Sequence, residues 1–236
     1  LEYQFVVSAD GQEKYLLDPA MPRVGGAFGD KSSLELPGYR PPAWVDRARA
    51  DLSLGDPFSV ETALGTFDLL LCSPTGDGTV ELPLLVVHDG PEMATYARIL
   101  DFSAAMMAAG QLVSHRVLLL APGDRDRRYA ANDAYADVLA EELLPAANRE
   151  VATAPDPVIV GASLGGLAAL HAEWRRPGTF AGVLAQSGSF FTAQTDPQES
   201  GFAYFSEITS FVQQVLTAQA PATFARVALI CGRADE

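Results

Sequence analysis

"VIVGASLGGLAAL", residues 158–170, passes from an apolar run through a glycine-rich junction into an alanine-rich run, with Ser163 at the junction. The first part has the composition of a buried strand and the last part that of a helix. Gly161-Ala162-Ser163-Leu164-Gly165 fits G-x-S-x-G, a pattern that is common by chance and informative only between a strand and a helix. That context predicts a sharp, strained turn that lifts the Ser163 hydroxyl out of the sheet edge, with the flanking glycines leaving room for it. Unpaired N–H groups of the helix's first turn then point to where an oxyanion would form, and Leu164 N–H is the first such donor. The competing reading is a helix N-cap serine beside packing glycines.

Outward from this junction, strand and helix signals alternate. A hairpin around Gly65 is followed by strand 82–88, helix 93–109, strand 115–122, helix 132–147, strand 157–162, helix 164–175, strand 181–187, helix 204–219 and strand 225–231. The alternation predicts an α/β fold, a mostly parallel sheet with helices on both faces and active residues at the carboxyl ends of the strands. Upstream, residues 1–17 read as a hairpin turning at Asp10-Gly11, followed by proline- and glycine-rich chain. A lone hairpin is marginal in water, so residues 1–44 are expected to be the end of a small N-terminal β domain plus linker, and residues 45–236 the α/β domain.

The chain has 236 residues, 48% of them hydrophobic, and a formal net charge of −14. This charge argues against nucleic acid and anionic membranes as partners, and no apolar run reaches the length of a membrane span. Cys72 and Cys231 lie in apolar stretches without metal-ligand spacing and read as buried thiols. The first residue is Leu1, so a native start and any targeting signal are expected to be missing, with a cytoplasmic location as the default.

In "LLVVHDG", "APGDRDRRYAANDAYADVLAEELLP", "GASLGGLAALHA", "GVLAQSGSFF" and "LICGRADE", taken in that order, residues 57–236 resemble the α/β-hydrolase esterases of the enterochelin (ferric enterobactin) esterase type. The resemblance implies Ser163 as nucleophile and an acid just after the strand ending at Cys231, where Glu236 and Asp235 both stand, Glu236 slightly preferred. An acid there would orient a histidine; the alternative is an ordinary solvated carboxylate. The histidine should follow the acid, and none does, which leads to the expectation of a chain cut before its last strand and histidine loop. The resemblance also implies an N-terminal β-sandwich and a small-molecule ester substrate, with ferric siderophore trilactones in first place. No metal or organic cofactor is expected.

Other candidates follow from position. The loop "HDGPEM" should supply the second oxyanion donor, with Gly90 the candidate because glycine allows close backbone approach. His88 either lines the cleft and binds substrate, orients that loop, or makes a structural hydrogen bond; His115 and His171 read as packing residues. Arg125, Arg127 and Arg128 lie on the sheet edge that bears Ser163, either to bind an anionic substrate or to pair with neighbouring aspartates. Tyr129 and Asn132 read as framework residues that cap the next helix. Phe190, Phe191, Phe202, Tyr204 and Phe205 either roof an aromatic acyl group or pack the edge. Beside the siderophore reading stand an acetyl or feruloyl carbohydrate esterase and a non-catalytic binding protein that kept the turn and lost the base.

Overall fold

The alternating residues at the N-terminus pair as the sequence predicts. In the computed structural model, which describes residues 1–9, 11–26, 29–45, 52–76, 79–219 and 223–232, β2 (Phe5–Ala9) and β3 (Gln12–Leu16) form the hairpin, Phe5 opposite Leu16. Gly11 takes the left-handed turn position, φ 74°, while Asp10 lies outside the described residues. Strands β1 (Glu2–Tyr3), β4 (Arg23–Val24) and β5 (Lys31–Ser33) make a separate three-stranded sheet in the order β1-β5-β4.

The main sheet begins with β6 (Leu52–Leu54), β7 (Phe58–Thr62) and β8 (Gly65–Pro74), joined antiparallel, with Gly65 at φ 88° closing the β7–β8 turn. Then come β9 (Leu84–Val87), β10 (Arg116–Leu120), β11 (Val158–Ala162), β12 (Gly182–Gln186) and β13 (Arg226–Ile230), all parallel, in the order β13-β12-β11-β9-β10-β8-β6. Successive strand residues point to opposite faces, so their apolar runs divide between two cores. Val86, Leu118, Leu120 and Ile159 join Tyr135, Leu139 and Leu167 on one face; Val87, Val117, Leu119 and Val160 join Leu100 and Ala104 on the other.

Among the described residues seven α-helices cover these faces: α1 (Gly90–Thr95), α2 (Ile99–Ala108), α3 (Arg125–Tyr129), α4 (Asp133–Val138), α5 (Leu144–Glu150), α6 (Leu164–Arg175) and α7 (Phe205–Thr217). Three expectations need correction. The helix expected over 93–109 is two, because Arg98 turns left-handed (φ 53°) and its guanidinium leaves the helix to donate to Asp101 and the Val45 carbonyl. The helix expected over 132–147 runs on to Glu150 and widens to a π turn over Leu139–Leu143, just ahead of Pro145, whose missing N–H cannot extend the regular ladder. Cys72 is buried as expected, but Cys231 is exposed, because it follows β13, which among the described residues pairs on one side alone and whose residues are all exposed.

Strand β9 lies between β10 and β11, so the chain leaves it on one side and returns on the other. The crevice at the carboxyl ends of β9 and β11 is therefore the switch point at which α/β sheets place ligands. Behind it, the buried Glu173 carboxylate on α6 accepts the N–H groups of Gly178 (2.8 Å), Phe180 (3.0 Å) and Ala225 (2.9 Å), tying α6 to the starts of β12 and β13. Glu173→Ala strands these donors and is expected to cost about 3 kcal/mol, with Glu173→Gln costing less. Urea unfolding followed by tryptophan fluorescence measures it; a loss below about 1 kcal/mol would mean that the loop finds other acceptors.

Candidate active site

Ser163 is where the sequence places it, between β11 and α6, with φ 53° and ψ −124°. A non-glycine residue in this region costs on the order of 1–3 kcal/mol and persists only when its surroundings hold it. Here its N–H donates to the Gln186 carbonyl (2.9 Å), and its carbonyl accepts the N–H groups of Gly166, Leu167 and Ser189 at 3.0 to 3.2 Å. The side chain is left exposed, with its Oγ 3.2 Å from Ser189 Oγ. Leu164 opens α6, so its N–H has no acceptor within the helix.

The loop after β9 lies against the same turn. His88 is fully buried; its Nδ1 is 2.8 Å from the Gly165 carbonyl and its Nε2 2.8 Å from the Tyr135 hydroxyl. A carbonyl only accepts, so Nδ1 carries the hydrogen and Nε2 accepts from Tyr135. Tyr129 packs against both rings, its centroid 4.6 Å from that of His88 and 5.3 Å from that of Tyr135, and its hydroxyl accepts the Asp89 N–H at 3.2 Å. The His88 bond to the Gly165 carbonyl joins the β9 loop to the first turn of α6. Burial pushes His88 down to about 4 and raises both tyrosines, so all three rings are neutral at pH 7. His88 as a substrate-binding residue is thus corrected: both ring nitrogens are used and none of it reaches solvent. Gly90 is buried at the first position of α1, where a Cβ would lie 2.6 Å from Leu119 Cβ, so only glycine lets the loop approach β10 this closely.

The arginines divide. Arg128 is buried, donates to the carbonyls of Pro122, Leu64 and Thr66, and stacks 3.7 Å over the Phe67 ring, so it braces the β7–β8 turn and is corrected from substrate ligand to framework. Arg125 forks onto both oxygens of Asp89 at 2.8 and 2.9 Å, and Arg127 is exposed beside Asp124 and Asn132 in a separate small cavity. Asn132 caps α4 as expected, accepting from Tyr135 N–H, whereas Tyr129 belongs to the buried ring cluster with His88 and Tyr135. His115 bonds the Val113 carbonyl, and His171 lies 3.2 Å from Asp133 and edge-on to Phe211, so both are packing residues. Asp235 and Glu236 lie outside the described residues.

Ser163 opens into a cleft of about 640 Å³ whose lining includes Ser189, Phe190, Phe191, Glu199, Leu229 and Cys231, with no cation among the described residues of the lining. Phe191 also stacks on Phe205, 6.3 Å between centroids, so the aromatic segment both lines the cleft and packs the edge. Asp89, Tyr135, Ser189 and Glu199 were not singled out from the sequence. Ser189 could have been, since it follows the carboxyl end of β12, next to β11 in the sheet.

The model of the family described as "Putative esterase" matches residues 67–230. The chain belongs to this esterase family. The esterase-family chain is 36% identical over 121 residues to an iron(III) enterobactin esterase of Dickeya dadantii (strain 3937), a match covering 49% of this chain and 28% of that protein. Its fold is similar to that of the enterobactin esterase from Shigella flexneri in the presence of enterobactin (TM-score 0.72, 21% identity, 90% of this chain and 55% of that one). It is also similar to a ferulic acid esterase (TM-score 0.58, 14% identity, 77% of this chain and 91% of that one). The esterase-family chain thus spans about half the length of the enterobactin esterase whose fold it shares, and the fold is that of an α/β-hydrolase. Among the described residues, no helix is long and apolar enough to cross a membrane.

The neutral, buried His88 of this esterase-family chain makes stability depend on pH. Its folded value of about 4 lies below the ordinary 6.5, so the unfolded chain binds the extra proton between these values. Its contribution is full above pH 6.5 and falls by about 3 kcal/mol as pH drops towards 4. His88→Asn keeps an N–H for the Gly165 carbonyl and should remove this part of the slope, as read from urea unfolding at pH 7 and pH 4.5. Identical slopes in the two proteins would refute the assignment.

Proposed function

We propose that this chain carries the catalytic serine of a carboxylic-ester hydrolase that works through an acyl-enzyme. The observation that carries the reading is the strained backbone at Ser163, which presents an exposed Oγ to the cleft at the start of α6. In this reading Ser163 Oγ attacks the ester carbonyl, the carbonyl oxygen becomes an oxyanion held by the N–H groups of Leu164 and Gly90, and the alcohol leaves. Water then releases the acid. The hydroxyl proton goes to a base other than the three histidines described, each of which is held elsewhere, with Glu236 or Asp235 as the acid that orients that base.

The substrate proposed is an ester of the catecholate siderophore type, supported by the relative named an iron(III) enterobactin esterase. Residues 1–44 belong, in the same reading, to an N-terminal β-sandwich-like domain plus linker. One feature favours a second reading, a feruloyl-type carbohydrate esterase: the cleft offers Phe190, Phe191 and Glu199, which suit an uncharged aromatic acid better than a polyanion. Turnover of ferric enterobactin against methyl ferulate by the native protein separates the two.

A fluorophosphonate probe, read by mass spectrometry on the native protein that carries this chain, is expected to label Ser163 and no other serine. Ser163→Ala should lose the label and lower p-nitrophenyl ester hydrolysis by at least about 10³-fold. Labelling that survives the substitution would sink the proposal.

A further inference from the structure

Asp89 is a left-handed residue (φ 51°) at the N-cap position of α1, closing the connection from β9, and all its polar groups are engaged. Its N–H goes to Tyr129, its carbonyl accepts from Met93, and both carboxylate oxygens take the Arg125 fork. The carboxylate also lies against the first turn of α6: a Cβ built on Gly165 would be 3.0 Å from Asp89 Oδ2. This placement has two electrostatic effects of opposite sign. A carboxylate beside a helix N-terminus is stabilised by the helix dipole. The same negative charge beside a site where an oxyanion must form opposes the reaction, and most strongly at the transition state. Asp89 is 8% exposed, so water screens the charge poorly.

We propose that Arg125 is a positioning residue for ester hydrolysis: its bidentate pairing cancels the Asp89 charge next to the oxyanion site while fixing the loop that bears Gly90. The inference rests on the serine-esterase reading above. It assigns Arg125 a task inside the loop rather than contact with an anionic substrate. Arg125 is half-buried, with its guanidinium carbon over the Tyr129 ring at 5.7 Å from the centroid.

The test uses p-nitrophenyl acetate, an uncharged ester that Arg125 has no charge to attract, and the native protein. Arg125→Gln leaves the Asp89 carboxylate unpaired and is expected to lower kcat about 10- to 100-fold, with KM changed by less than about threefold. Arg125→Lys, which keeps the charge and loses the fork, should recover part of kcat. The double variant Asp89→Asn with Arg125→Gln removes both charges and should regain most of the loss, since an amide pair can still bond across the loop. Thermal unfolding midpoints establish that each protein is folded, and if Arg125→Gln is not, the lysine and double variants carry the comparison. A kcat for Arg125→Gln within twofold of wild type, a loss confined to KM, or a double variant as slow as the single one overturns the proposal. Failure of the wild-type protein to be labelled at Ser163 overturns the parent reading instead.

Discussion

The site depends on how closely the first turn of α6 lies against the strands beneath it. A Cβ at residue 161 would stand 2.2 Å from the Gly165 carbonyl oxygen, and one at residue 166 would stand 3.2 Å from Ala185 Cβ. Glycine at these positions brings the helix start onto the ends of β11 and β12, and Ser163 takes up the resulting bend in its own backbone. A single added methyl at residue 161 would push against backbone, which has no rotamer with which to escape.

Two further sets of interactions hold that close approach. On the side of β12, the Ser163 carbonyl gathers three N–H groups, one of them from Ser189, so the loop after β12 is fastened to the same strained residue. On the side of β9, the neutral His88 bridges the Gly165 carbonyl and Tyr135 without placing a charge in the core. A polar ring this deep is tolerated because both of its nitrogens are hydrogen-bonded, and the Gly165 carbonyl, which only accepts, sets the direction of both bonds.

The sequence made the succession of strands and helices and the turn at Ser163 legible because both rest on local signals: apolar runs of strand length, and glycines flanking a serine. The extent of α6, residues 164–175, agrees with the expectation because its start is fixed by the turn and its end by the approaching Pro177. What stayed hidden depends on pairing at a distance. Three arginines in one loop look alike in sequence, yet Arg128 is drawn under Leu64 and Thr66 while Arg125 meets Asp89, and no periodicity reports either partner. For His88 a cleft role and a structural bond were both open. Tyr135, 47 residues along, decided between them, and its spacing in the sequence carries no mark of that contact. The break at Arg98 was hidden for the same reason, since its cause is a carbonyl 53 positions upstream.

These separations bear on the order of events as the chain folds. The contacts that define the site join residues 36, 40, 47 and 77 positions apart, and the β9 and β11 ends become neighbours only when the whole connection through β10 has been laid down. Closing loops of that size costs entropy before any contact returns it. A collapsed chain with its helices formed would therefore still have an unassembled crevice, and the junction of the β9 loop with the first turn of α6 would arise among the last steps of assembly.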